Sequence, residues 1–138
     1  MRRIRPILAI LALMAVAGAA CSKDASVATD MDAVGAIAAE LVRKVKAGAD
    51  PSAGVADAQA YLDAHKAEIQ ERMARVSGVR GFQISDETKK RVMDVMMSAA
   101  GEVNTLKISL MTQTMGNEAL NRSLNKLVAD FNALLQGA

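Results

Sequence analysis

From residue 27 onward, apolar side chains return at intervals of four, three, four, three and four residues. Val27, Met31, Val34, Ala38, Leu41 and Val45 keep this spacing. Val92, Met96, Ala99, Val103, Leu106 and Leu110 repeat it, and Leu120, Leu124, Leu127, Phe131 and Leu134 fall in the same rhythm. A backbone with about 3.6 residues per turn gathers such residues on one side, whereas a strand scatters them over both faces. Composition agrees. The chain has one Tyr, two Phe and no Trp, so strand-favouring aromatics are scarce. Its two prolines, Pro6 and Pro51, leave the periodic segments unbroken. The fold class is therefore all-α.

Four segments can be delimited after residue 20. Ser22 to Thr29 is small and polar and reads as a tether, residues 21–29, fraying into a first helix over about 30–47. Asp30 and Asp32 at its start and Arg43, Lys44 and Lys46 at its end complement the helix dipole. Gly48 stops it. Asp50 caps a second helix that reaches Ser77, with Pro51 in the first helical position. Its buried face is Val55, Ala58, Leu62, His65, Ile69, Met73 and Val76, with Tyr61 alongside. The connection SGVRGFQIS follows, in which Val79, Phe82 and Ile84 are expected to fold back over one end of the core. Ser85 caps a third helix, expected to run unbroken to about Met115 because the stripe passes Gly101 in phase. Gly116 and Asn117 stop and restart the chain, and a fourth helix spans about 118–136. Short connections favour antiparallel neighbours. Residues 30–138 are thus expected to form an antiparallel up-down bundle of about four helices. An elongated three-helix or dimeric arrangement also fits the unequal helix lengths.

The first twenty residues follow a different logic. Arg2, Arg3 and Arg5 precede a run from Ile7 to Ala20 without a charge, and the run ends in Ala17-Gly18-Ala19-Ala20. A basic start, an apolar middle and a small-residue end make a secretory signal. The 14-residue run falls short of the roughly 20 apolar residues that span a bilayer. A helix is expected here, but one discarded from the mature protein. Ala17-Gly18-Ala19 would suit an ordinary signal peptidase. Against that stands Cys21, the only cysteine of the chain, immediately after the small residues.

Gly18-Ala19-Ala20-Cys21 resembles the lipobox of bacterial lipoproteins. The resemblance covers these four residues and the apolar run before them. It implies that the Cys21 sulfur receives a diacylglyceryl group, that cleavage follows Ala20, and that the new amino group is acylated too, commonly with palmitate. Ser22 rather than aspartate follows the cysteine. By the sorting rule of enterobacterial lipoproteins this implies the periplasmic face of the outer membrane.

The charge balance narrows the partners. Arg2, Arg3 and Arg5 belong to the signal, and without them 14 Lys and Arg face 15 Asp and Glu. No basic excess is left for a nucleic-acid partner to use. Arg43-Lys44-Val45-Lys46 and Lys89-Lys90-Arg91 are short and suit solvated helix faces. A lone cysteine gives no intramolecular disulfide. Phosphate loops, paired-cysteine metal sites and His-Glu-x-x-His are absent from the sequence. Glu68 with Glu71 and Asp86 with Glu87 are the local carboxylate pairs, and helix-surface roles account for them. His65 lies on an apolar stripe and is expected to pack there, bonded to a carboxylate or backbone.

Methionine is the unusual element. Met31, Met73, Met93, Met96, Met97, Met111 and Met115 lie beyond the signal. Thioethers favour Cu(I), and Met93 with Met97, or Met111 with Met115, stand one turn apart. His65 could complete such a site. The same residues can fill irregular core gaps or line a groove for a partner. The expectation is a non-enzymatic envelope lipoprotein, anchored through lipid on Cys21 and acting through a protein partner. No cofactor is expected, and the alternative is a Met-rich periplasmic copper-binding protein.

Overall fold

The computed structural model describes residues 22–137. The expected signal-peptide helix, residues 1–20, and Cys21 lie outside the described residues. The rest is helical, with no strand among the described residues. Its elements are α1 (Asp24–Ala47), α2 (Pro51–Ser77), α3 (Asp86–Ser109), the short α4 (Met111–Thr114) and α5 (Glu118–Leu135). A 3-10 turn over Gly81–Gln83 lies between α2 and α3.

The caps are those the residue types favour. The Asp50 carboxylate accepts the Ala53 N–H at 2.9 Å and Pro51 opens α2. Ser85 Oγ accepts the Thr88 N–H at 3.1 Å, and Asn117 Oδ1 accepts the Leu120 N–H at 3.0 Å. Gly116 turns the chain with φ of 89°, a conformation that glycine adopts without steric cost.

Three sequence expectations are corrected. First, α1 begins at Asp24, so Ser22 to Thr29 is not a free tether. The Lys23 N–H donates to the Gln83 carbonyl at 2.9 Å, and the Ser85 N–H donates to Asp24 Oδ1 at 2.8 Å. Val27, in phase with the stripe, is buried, and the small polar residues around it are compatible with helix. Second, the helix expected to reach Met115 is interrupted at Leu110, which leaves the helical region with φ −102° and ψ 8°. Hydrophobic phase alone does not register such an interruption. Third, Phe82 stands 82% exposed, while Val79 and Ile84 pack against the core. The 3-10 turn swings its ring outward.

The core is built from the periodic stripes. Phe131, Met31, Leu41, Leu62, Ile69 and Leu127 are among its fully buried side chains. Each contributes about 1.5–3 kcal/mol by leaving water. The main packed pairs are α1 with α2, α1 with α3, α2 with α5 and α3 with α5. The start of α1 meets the end of α2, Asp30 against Arg72 and Arg75, and its end meets the start, Val45 against Gly54. These two helices are antiparallel. By contrast α1 and α3 run the same way: Asp24 reaches Ser85, Asp32 bonds Arg91 at 2.7 Å, and Gly35 lies beside Val95. α2 and α5 also run together, Ala56 near Ser123 and Lys66 near Ala133. Neighbours in sequence are thus not always neighbours in space. The connection from α2 to α3 passes across the molecule instead of joining adjacent helices.

Candidate functional site

α3 carries two apolar stripes in different phases. Val92, Met96, Ala99, Val103 and Leu106 turn toward the other helices. Met93, Met97 and Ile108 turn away, followed by Met111 of α4 and Met115 just after it. These five side chains are between 58 and 74% exposed. On a helix advancing about 100° per residue, positions 93, 97 and 108 fall within about 60° of one another, and Met111 and Met115 follow beyond the interruption at Leu110. The three positions on α3 lie about 130° around the helix from the residues that face the core. Large side chains scattered singly are ordinary, but a contiguous apolar strip marks an interaction surface. This strip is the most distinctive exposed feature of the described residues.

The other methionines have different surroundings. Met31 and Met73 are buried, and Met96 is half-buried against the core. His65 sits on α2, its Nδ1 2.9 Å from Glu68 Oε2 and its ring 4.2 Å from that of Tyr61. α2 and α3 are not a main packed pair. The structure therefore does not bring His65 together with the exposed methionines, and the ligand set that combined them is corrected. Among the described residues, no three His, Cys, Asp or Glu side chains gather as a metal site.

Three of the four carboxylates in the local pairs, Glu68, Glu71 and Asp86, are paired with cations. Glu68 accepts from Arg72 and meets His65, and these hydrogen bonds, His65 first, hold its carboxyl below the usual range. Glu71 accepts from Arg75 Nη1 at 2.6 Å, and Asp86 from Lys89 Nζ at 2.7 Å. On α5, Asp130 is paired with Lys126 and accepts from Gln59 of α2 at 3.0 Å.

Sequence reasoning missed one charged cluster. Asp30 is buried between α1 and α2, where Arg75 grips both its oxygens, Nε to Oδ2 at 2.9 Å and Nη2 to Oδ1 at 2.8 Å. Arg72 Nη1 adds a bond to Oδ1 at 2.9 Å. Arg75 above all, with Arg72, holds the Asp30 carboxyl below its ordinary value. A cleft of about 760 Å³ opens beside it, bordered by Lys23, Val27, Arg75 and Gln83. The sequence contained one signal for this cluster: Asp30 stands three residues after Val27 and four before Val34, in the phase of the buried stripe. A carboxylate in that phase needs a cation from a neighbouring helix.

At the N-terminal end, the hydroxyls of Thr88 and Ser22 and the Ser85 amide hold Asp24 well below the usual carboxylate range. Asp24 thereby ties the start of α1 to the cap of α3. No described helix is long and apolar enough to cross a membrane. Scans of the chain against protein-family models, curated proteins and solved structures find no match.

Proposed function

We propose that the protein is a lipid-anchored lipoprotein of the bacterial envelope that acts through protein contacts rather than catalysis. The observation that carries the anchor is Gly18-Ala19-Ala20-Cys21 at the end of an uncharged run, with the sole cysteine in the acceptor position. The start of α1 only three residues later fits a mature chain that begins at Cys21. The exposed apolar side chains of α3 and of the residues just after it support the contact role. Ser22 after the cysteine favours the periplasmic face of the outer membrane. We read the mature domain as two helical hairpins, α1 with α2 and α3 with α5, lying side by side.

Cys21→Ser should abolish incorporation of labelled palmitate and release the protein from the membrane fraction. Labelling that persists in this variant would refute the anchor. A single acyl chain holds a protein only reversibly, so stable retention also reports that two or more chains are attached.

The exposure of Met93, Met97, Met111 and Met115 favours a second reading, Cu(I) binding by thioethers. It would proceed without His65. Cu(I) titration against a competing chelator separates the readings. The contact role expects no uptake, and stoichiometric uptake lost in Met93→Leu with Met97→Leu would establish the metal role instead.

A further inference from the structure

Phe82 is 82% exposed, while Phe131, the other phenylalanine of the chain, is fully buried. The exposure is built in. The Gln83 N–H donates to the Arg80 carbonyl at 2.8 Å, and the Arg80 N–H donates to Gln83 Oε1 at 3.0 Å, so the turn that carries Phe82 is closed from both sides. Val79 and Ile84 pack against the core and hold the turn at its ends. The same turn is tied to the start of α1, because the Gln83 carbonyl accepts the Lys23 N–H. Two residues of chain, one hydrogen bond and one further residue limit the Cα atoms of Cys21 and Phe82 to about 18 Å apart. We propose that Phe82 is a second, non-covalent foot of the anchored protein, its ring entering the boundary between headgroups and acyl chains beside the lipid on Cys21. This foot rests on the anchored reading given above and makes the lipid surface a contact of the folded domain itself.

The fold puts the turn at the anchored end. α2 runs antiparallel to α1 and ends there, and α3 runs with α1 and starts there. Segments that lie on a membrane bury phenylalanine, tryptophan and leucine about 5–10 Å into that boundary. The charges beside the ring fit such a surface. Of the carboxylates in the first turns of α1 and α3, Asp24 is taken up by Ser22 and Ser85, Asp86 pairs with Lys89 at 2.7 Å, and Glu87 lies near Arg91. Lys23 and Arg80 are exposed, and neither has an ion-pair partner among the described residues. They flank Phe82, Arg80 two residues before it and Lys23 across the hydrogen bond to Gln83. Long cationic side chains lay their stems along an apolar surface and keep the charged head outside it. Here the heads would meet headgroup phosphates.

The foot also orients the molecule. A lipid on one sulfur lets the domain tilt in any direction, whereas a second contact turns one side toward the bilayer. α3 leads away from that contact, and Ile108 stands about 33 Å along it from Asp86. The far apolar side chains of α3 are thereby kept in the aqueous layer, open to a protein partner.

The chain has no tryptophan, so Phe82→Trp supplies a single reporter at an exposed site that leaves the core untouched. The lipidated protein, purified from the bacterial envelope, is reconstituted into vesicles of phosphatidylethanolamine and phosphatidylglycerol. The indole of Phe82→Trp should emit further to the blue than that of the same variant carrying Cys21→Ser in buffer. It should be quenched at least about twofold when the acyl chains carry bromine, because a ring at the boundary lies within reach of them. Ile108→Trp should keep its aqueous emission in both kinds of vesicle. Adding Lys23→Glu and Arg80→Glu to Phe82→Trp should weaken the quenching, and unchanged quenching would overturn the role given to the two cations. Palmitate labelling and flotation with the vesicles report the Cys21 anchor on the same sample. A labelled, floating protein whose Phe82→Trp indole keeps its aqueous emission, as a side chain meant for a protein partner would, overturns the foot and leaves the anchor standing. Equal quenching of Phe82→Trp and Ile108→Trp overturns it too, since the bundle would then lie along the bilayer. An unlabelled protein that does not float overturns both.

Discussion

Replacing Arg72 and Arg75 together by alanine should destabilise the protein by about 3–5 kcal/mol, the range for a buried ion pair that loses one side. The reason is asymmetry. Asp30 keeps only 9% of its side chain exposed, whereas Arg72 keeps 23% and Arg75 47%. Removing the arginines leaves a largely buried carboxylate without its cations. Removing the carboxylate leaves two arginines that can turn outward, so Asp30→Asn should cost less, about 1–2 kcal/mol. Urea unfolding distinguishes the two. With a slope of about 2 kcal/mol/M, the double variant should lower the midpoint by about 2 M and Asp30→Asn by less than 1 M. Equal midpoints would contradict the asymmetry. The pH dependence follows in sign. Asp30 has a lowered pKa in the folded protein, so its contribution is present in full above the ordinary carboxylate value. It is lost as the pH falls through the depressed folded value. The stability gap between wild type and Asp30→Asn should therefore narrow in strong acid and stay constant near neutrality.

Gly54→Ala should be nearly as damaging, by about 3 kcal/mol, although it adds one methyl group. The new carbon would lie 2.3 Å from the Val45 carbonyl oxygen and 3.0 Å from the carbonyl carbon. Both belong to backbone, so no side chain can step aside, and the α1–α2 hairpin must open to admit it. Gly48 faces the same crowding, since a carbon there would lie 2.4 Å from the Gly54 backbone. Position 101 supplies the contrast. Gly101→Ala enters open space and should leave the folded monomer as stable or more so, by up to about 1 kcal/mol. Thermal melts of the two variants measured side by side should move in opposite directions. A Gly54→Ala melt that overlays wild type would mean that the hairpin is not packed backbone to backbone.

Much of the fold was legible because burial repeats at the helical period. Val34, Leu41, Leu62, Val103 and Leu127 were all placed on inward faces by spacing alone, and all are buried. Asp50, Ser85 and Asn117 marked helix starts because their side chains can take up amide groups that have no partner in the helix. The order of the helices was not legible. Periodicity shows that a helix has an inner face but not which helix covers it, and the α1–α3 contact depends on the course of residues 78–85. The second stripe on α3 was hidden for a related reason. Methionine satisfies a core as readily as a surface, so Met93 and Met97 read equally as core filler, thioether ligands or groove lining until the structure showed them facing outward. The Asp30 cluster joins residues more than forty positions apart, and helix-end electrostatics offered a sufficient local account of the same aspartate.

The pinning of Lys23 and Asp24 to the loop before α3 has a mechanical consequence. If Cys21 carries lipid, only Ser22 separates it from a residue already bonded to the folded domain. Two residues span at most about 7 Å. The molecule would then be a short post standing on the bilayer, not a bait on a line. Its reach away from the membrane would be set by the length of its own helices, about 36 Å for the 24 residues of α1. Whatever it meets must come to that layer, and thermal motion would rock the post rather than sweep it through the periplasm.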